Sequence, residues 1–256
     1  AIQNLINITP DDKVKAFICT QDLKDTDYVN SHYVMMATRQ GIVKKTSLES
    51  YSRPRVNGIN AITVRDGDEL MEAKLTTGSS QVLIGLRSGK AIRFEESKTR
   101  PMGRNASGVR GVTLADDQDE VIGMVTVNNF DEDILVVSEK GYGKRSSIED
   151  YRITNRGGKG VKTISITEKT GFLVAIKNVD DTDDLMIINK SGIAIRLNVD
   201  DLRVMGRATQ GVRLINIRDN DSIAAVAKVV REEEVDAADI NEIEVTPDMG
   251  HSDDAQ

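Results

Sequence analysis

Residues 134–145, ILVVSEKGYGKR, run from an apolar, β-branched stretch through a glycine turn into a segment carrying two cations. That order reads as a hairpin of two short strands, with Gly141 at the turn and Lys144 and Arg145 on the second strand, their charge expected to point outward. The same order recurs along the chain. Apolar runs occupy 32–38, 81–86, 134–138 and 184–189, and a turn glycine follows each, at Gly41, Gly89, Gly141 and Gly192, spaced 48, 52 and 51 residues apart. Four residues beyond each glycine lies a cation: Lys45, Arg93, Arg145 and Arg196, with Lys44 and Lys144 as immediate neighbours in two copies. A second glycine follows at Gly58, Gly108, Gly160 and Gly211, spaced 50, 52 and 51 apart, and an apolar run with an acidic turn closes each unit.

A period near 50 residues, filled with about four short strands and no long helical pattern, predicts an all-β fold of blades around an axis. The expected form is a β-pinwheel or propeller-like disk of four-stranded blades; a β-solenoid and a string of small β domains are the alternatives. Strands that are apolar nearly throughout fit blades covered on both faces by neighbours. Residues 1–8 read as the last strand of a preceding unit. Residues 223–230 read as the first strand of a unit that does not continue, and the two segments could pair to close the disk. The expected domain is therefore 1–230, comprising the end of one blade, four full repeats and a closing strand.

Aromatic residues make up 4% of the chain and Trp is absent, so the core falls to Val, Ile, Leu and Met. The single cysteine, Cys19, excludes an intramolecular disulfide and fits a reducing compartment; it is expected as a small buried residue. With neither a signal-like N-terminus nor an apolar run near 18 residues, the chain reads as cytoplasmic and without a membrane partner. The net charge is −7, but residues 231–256 hold ten acidic side chains and one arginine, a net of −9, which leaves residues 1–230 at +2. That tail is expected to be disordered, either as a solubilising end or as a competitor for a basic surface.

Three copies share one basic layout before the second glycine. It reads Arg100-x3-Arg104-x3-Gly108-Val-Arg110, Arg152-x3-Arg156-x3-Gly160-Val-Lys162 and Arg203-x3-Arg207-x3-Gly211-Val-Arg213, with Lys159 inside the second. The first copy keeps Arg53, Arg55 and Gly58 but not the spacing. A core needs no such cations, because unpaired arginine is costly to bury. Set at one radius on successive blades, they would form a belt for a polyanion, with Lys44, Lys45, Arg93, Lys144, Arg145 and Arg196 on the same edge. The glycines would admit phosphate oxygens to backbone N–H groups, and duplex DNA would bind largely without sequence preference. The competing reading pairs these cations with acidic turns such as Asp116, Asp117, Asp180 and Asp181 on a solvated face.

Catalytic patterns fail. Lys159 is followed by Gly160 rather than by the Ser or Thr and helix of a nucleotide-binding P-loop. His32 and His251 lie far apart, which supports neither a zinc site nor a histidine-based triad. Tyr51 and Tyr151, just ahead of two basic loops, are expected to pack.

The hairpin EKGYGKRSSIEDY (139–151) and the segments MGRNASGVRGV (102–112) and VMGRATQGVRLI (204–215) resemble the DNA gyrase A C-terminal domain. The resemblance covers nearly all of 1–230. It implies a six-bladed β-pinwheel, present here incompletely, that wraps DNA around its rim to support ATP-dependent negative supercoiling by a type IIA topoisomerase. It also implies no catalytic residue and no cofactor in this chain, with ATP and Mg2+ used elsewhere in the holoenzyme, and partners in the rest of gyrase A and in gyrase B. The family's Q-R-R-G-G-K-G box is approached by TNRGGKG (154–160), which keeps Arg156 to Gly160 and lacks the leading Gln-Arg. Its place in the third full repeat implies that the true box lies upstream of Ala1. The corresponding C-terminal domain of topoisomerase IV and a propeller-like protein-interaction scaffold are the alternatives.

Overall fold

The computed structural model describes residues 12–218 and 221–230; the expectations for 1–8 and for the acidic tail lie outside the described residues. A single helical turn and a half, α1 (Thr26–Ser31), opens the described chain, its N-terminus capped by the Asp25 carboxylate, which accepts from the Asp27 and Tyr28 amides. Short β-branched runs punctuated by glycine then give β1 (Tyr33–Thr38), β2 (Ile42–Ser47), β3 (Leu70–Thr76), β4 (Gln81–Leu86), β5 (Lys90–Glu95), β6 (Val109–Arg110), β7 (Val121–Val127) and β8 (Asp133–Ser138). The series continues with β9 (Tyr142–Ser147), β10 (Val161–Lys162), β11 (Leu173–Val179), β12 (Asp183–Asn189), β13 (Ala194–Asn198), β14 (Val212–Arg213) and β15 (Ile223–Val230).

These strands form four antiparallel sheets, ordered β3-β1-β2-β6, β7-β4-β5-β10, β11-β8-β9-β14 and β15-β12-β13. A blade is therefore not one repeat. Three of its strands come from one unit, while the fourth is the two-residue Val-Arg or Val-Lys strand of the next unit's basic loop, paired Ile42↔Arg110, Lys90↔Lys162 and Tyr142↔Arg213. The expected four strands per blade are met in three sheets by exchange between units. Residues 223–230 are also reassigned: β15 pairs with β12 as β3 pairs with β1, so it is a strand of the fourth sheet rather than the start of a fifth.

Sheets stack in chain order through apolar side chains that alternate between faces. Met35 and Ala37 of β1 meet Val82, Ile84 and Met124 of the second sheet. Leu83 and Val125, one residue on, meet Ile134, Val136 and Ile176 of the third. Leu135 and Val137 meet Leu185, Ile187 and Val226 of the fourth. Period-two alternation thus gives each sheet one face for its predecessor and one for its successor.

Strands β3, β7, β11 and β15 touch in succession, and Lys177 of β11 lies within charge range of Glu72 and Lys74 on β3, two sheets away. That edge converges on the axis, so β6, β10 and β14, at the opposite edge, form the rim. Tyr151 is wholly buried and hydrogen-bonded to Thr163, and Tyr51 donates to the Ala61 carbonyl at 3.2 Å, so both pack as expected. Cys19 is exposed, contrary to expectation, because 12–23 crosses the outside of the first sheet as coil.

Candidate nucleic-acid interface

Each basic loop docks on the sheet before it through one set of backbone hydrogen bonds. Met102, Thr154 and Met205 amides donate to the carbonyls of Lys45, Arg93 and Arg145 at 2.8, 2.9 and 2.9 Å. Further along, the Gly111, Thr163 and Leu214 amides donate to the turn glycines Gly41, Gly89 and Gly141, each at 2.8 Å. Between these anchors the chain presses flat on the preceding sheet. A Cβ at Gly108, Gly160 or Gly211 would stand 2.5 Å from the carbonyl oxygen of Val43, Ala91 or Gly143, and all three have positive φ. The glycines serve close approach to a neighbouring strand.

A larger correction concerns the cations on β2, β5 and β9. Lys44 and Lys144 are 0% and 1% exposed, and Lys45, Arg93 and Arg145 are also buried. The incoming loop of the next unit covers them, so their heads meet protein groups, mostly of that loop, rather than solvent. Lys44 Nζ donates to the carbonyls of Ala61 and Arg104, and Lys144 Nζ to the Gly206 carbonyl at 2.5 Å. Arg93 donates to the carbonyls of Ile148 and Tyr151 at 2.7 and 3.0 Å and to the Gln81 amide oxygen at 2.7 Å. Arg145 bonds the Leu202 carbonyl and Asp181, and lies 3.7 Å from Asp133. Lys45 pairs with buried Glu96 at 3.5 Å. These five position loops instead of facing a ligand. Arg145 pairs with Asp181 of one of those acidic turns, though its guanidinium is buried rather than on a solvated face. Burial pushes Lys44 and Lys144 down to about 8.

The second arginine of the basic layout is half-buried and bridges units. Arg156 donates to the carbonyls of Lys98 and Arg110, both at 2.9 Å. One repeat later Arg207 donates to the carbonyls of Asp150 and Lys162 at 2.9 and 2.7 Å. Arg104, also half-buried, lies over Lys44. In TNRGGKG the corner itself is tied down, with Gly157 N donating to Gly111 at 2.6 Å and Gly158 accepting from Thr113 N at 2.9 Å.

What remains open to solvent is one regular series. Arg100, Arg152 and Arg203 head the loops, and Arg110, Lys162 and Arg213 sit on the rim strands, all exposed, with Lys159 beside them. Arg53 and Arg55 are exposed in the first loop. Exposed Arg196 pairs with Asp184 at 2.6 Å. Sequence reasoning missed one neighbourhood: Lys140, Lys169 and Arg218 gather with Arg213 and Tyr142 around a hollow of about 720 Å³ that also includes Asp221. The hydrogen bond from Arg213 holds the Tyr142 hydroxyl below its ordinary pKa. The only signal in the sequence was Lys140, directly before the turn glycine.

A strand-exchanged, bladed β-disk whose outer edge repeats one exposed cationic layout defines a class of propeller-like domains with a basic perimeter. The profile of the family described as "DNA gyrase C-terminal domain, beta-propeller" matches residues 32–77, 87–128, 132–180 and 183–229, and the chain belongs to this family. It is 44% identical over 234 residues to the DNA gyrase A protein of Staphylococcus aureus strain COL, covering 91% of this chain and 26% of that protein. Strain MRSA252 gives 44% over 229 residues, with coverages of 89% and 25%. The chain thus spans about a quarter of the length of the curated relatives it matches.

Among solved structures, the C-terminal domain of DNA topoisomerase IV superposes with a TM-score of 0.81 at 24% identity, covering 90% of this chain and 70% of that one. The DNA gyrase A C-terminal domain gives 0.77 at 23%, with coverages of 90% and 74%. At such identities these likenesses speak for the fold, and the 44% identity favours gyrase A over the topoisomerase IV alternative. Among the described residues no helix is long and apolar enough to cross a membrane.

Proposed function

We propose that this chain is a non-catalytic module that binds and bends duplex DNA around its rim, as part of a gyrase that introduces negative supercoils. The carrying observation is the recurrence of exposed Arg100/Arg110, Arg152/Lys162 and Arg203/Arg213 at equivalent places on successive blades. Cations at one radius meet successive phosphates along a curved path, and no base-reading helix accompanies them, so binding depends on charge and DNA bendability. In this reading the remainder of gyrase A and the whole of gyrase B are the protein partners, ATP and Mg2+ are handled by them, and the setting is cytoplasmic. The domain spans 1–230, and the acidic 231–256 segment competes with DNA for the rim.

The test is duplex affinity as a function of salt. Replacing Arg110, Lys162 and Arg213 together with Ala is expected to lower the log-log salt slope by roughly three, at about 0.9 per phosphate contact. An unchanged slope and affinity would remove the rim from the interface.

A further inference from the structure

Lys44 and Lys144 are fully buried ammonium groups whose hydrogen bonds go only to backbone carbonyls, Ala61 and Arg104 for the first and Gly206 for the second. Among the described residues neither takes part in an ion pair. Arg104 lies near Lys44 and opposes its charge, and Tyr51 competes for the Ala61 carbonyl that Lys44 uses. Lys144 faces Asp150, which offsets it in part, and Arg207, which opposes it. Burying an incompletely compensated charge destabilises a fold.

The repeat supplies its own control. Three residues after the turn glycine stand Lys44, Ile92, Lys144 and Ile195, and Ile92 fills its place at 1% exposure under the TNRGGKG loop, its Cδ1 3.5 Å from the position of a Cβ on Gly158. An isoleucine therefore satisfies the blade. The lysines serve something other than packing: both touch the loop that carries Arg104 or Arg207, and Lys44 also holds the Ala61 carbonyl of its own unit.

We propose that Lys44 and Lys144 are positioning residues for the rim: each holds the next unit's basic loop from beneath, and each leaves a charge that a bound phosphate backbone compensates. This rests on the DNA-binding reading above. It assigns the two lysines a cost in stability and a benefit in binding, a combination that core packing alone does not produce. Their lowered protonation range adds a pH signature. Below about pH 8 both ammonium groups are charged, and above it both the charge and one donor hydrogen of each are lost.

The experiment compares the full chain with Lys44→Ile and Lys144→Ile, and with the Met versions in case a β-branched residue does not seat. Duplex DNA affinity is read by fluorescence anisotropy from pH 7 to 9, and unfolding by denaturant. At pH 7 each variant is expected to bind about tenfold more weakly, as for a charge held a short distance behind the contact surface. Its salt slope stays within one phosphate of the parent, its unfolding midpoint rises, and the parent's loss of affinity between pH 7 and 9 shrinks by about half, disappearing only in the double variant. Without DNA, trypsin cleavage after Arg104 or Arg207 is expected to quicken. Parent-like affinity in the variants overturns the inference and leaves the DNA-binding reading intact. So does a midpoint that falls together with affinity, which marks an ordinary core role. A slope lower by a full phosphate contact per lysine also overturns it, since the lysine would then touch DNA itself. A parent chain that fails to bind duplex at low salt overturns the DNA-binding reading and this inference with it.

Discussion

Arg145 and Arg196 stand four residues after equivalent turn glycines, yet Arg145 is 8% exposed and Arg196 is open to solvent. The third sheet receives a loop and a fourth strand from the next unit, which lays the Leu202 carbonyl on the Arg145 guanidinium. Among the described residues the fourth sheet has three strands, and its arginine pairs with Asp184. The burial of Arg145 is thus set by a segment more than fifty residues away, while its own hairpin supplies Asp133. Among the described residues, a basic residue at this place in the repeat is a loop anchor where a following unit docks and an exposed charge on the fourth sheet.

The widest separation should come from removing the two arginines. Arg145→Met strips a partner from Asp133 and Asp181 and from a docked carbonyl, and is expected to cost about 3–4 kcal/mol in denaturant unfolding. Arg196→Met, whose guanidinium is solvent-screened although its partner Asp184 is buried, is expected to cost less, about 1–2 kcal/mol. Equal losses would break the contrast.

The glycines sharpen the same point. Gly160→Ala places a Cβ 2.5 Å from the Ala91 carbonyl oxygen at φ +71 and should cost about 2–3 kcal/mol. At Gly58, φ +70, nothing lies within 4 Å because its loop has no preceding sheet among the described residues, so Ala there should cost only about 1 kcal/mol, the backbone strain itself.

A smaller effect is expected from pH. Lys144 and Lys44 titrate near 8 in the folded chain and near 10.5 when unfolded. Between those values the unfolded state holds protons that the folded state has released, so stability rises with pH. Stability is expected to rise from pH 8 to pH 10, with the rise flattened in a Lys44→Ile, Lys144→Ile double variant and ended above pH 10 as Tyr151, pushed up to about 12 by burial, begins to lose its advantage. A stability that falls across pH 8–10 would contradict the buried charges. The smallest effect belongs to the tail: deleting 231–256 should tighten duplex binding by about threefold at low salt and by less at high salt, because screening weakens a competing acidic segment. Identical affinities would leave it a solubilising end.

Much of this was legible in one dimension. The 48-, 52- and 51-residue glycine spacings and the β-branched runs located the first hairpin of every blade within a residue or two, and the Val-Arg pairs after Gly108 and Gly211 pointed to the rim. The exchange of the fourth strand was not legible, because two-residue strands carry no periodicity and antiparallel pairing has no sequence mark of its partner. For the same reason 223–230 read as a beginning when it is an end. Lys140, Lys169 and Arg218 meet Arg213 only because a hairpin turn and two distant loops converge at one end of a blade.

The sequence by itself determined the repeat, the all-β architecture and which residue types each unit supplies, since these follow from local pattern and turn chemistry. Only the tertiary structure decided which cations face outward. Solvent exposure is a property of what packs on a side chain, and here that covering arrives from the following unit: it buries Lys44, Lys45, Arg93, Lys144 and Arg145 and leaves Arg110, Lys162 and Arg213 at the rim.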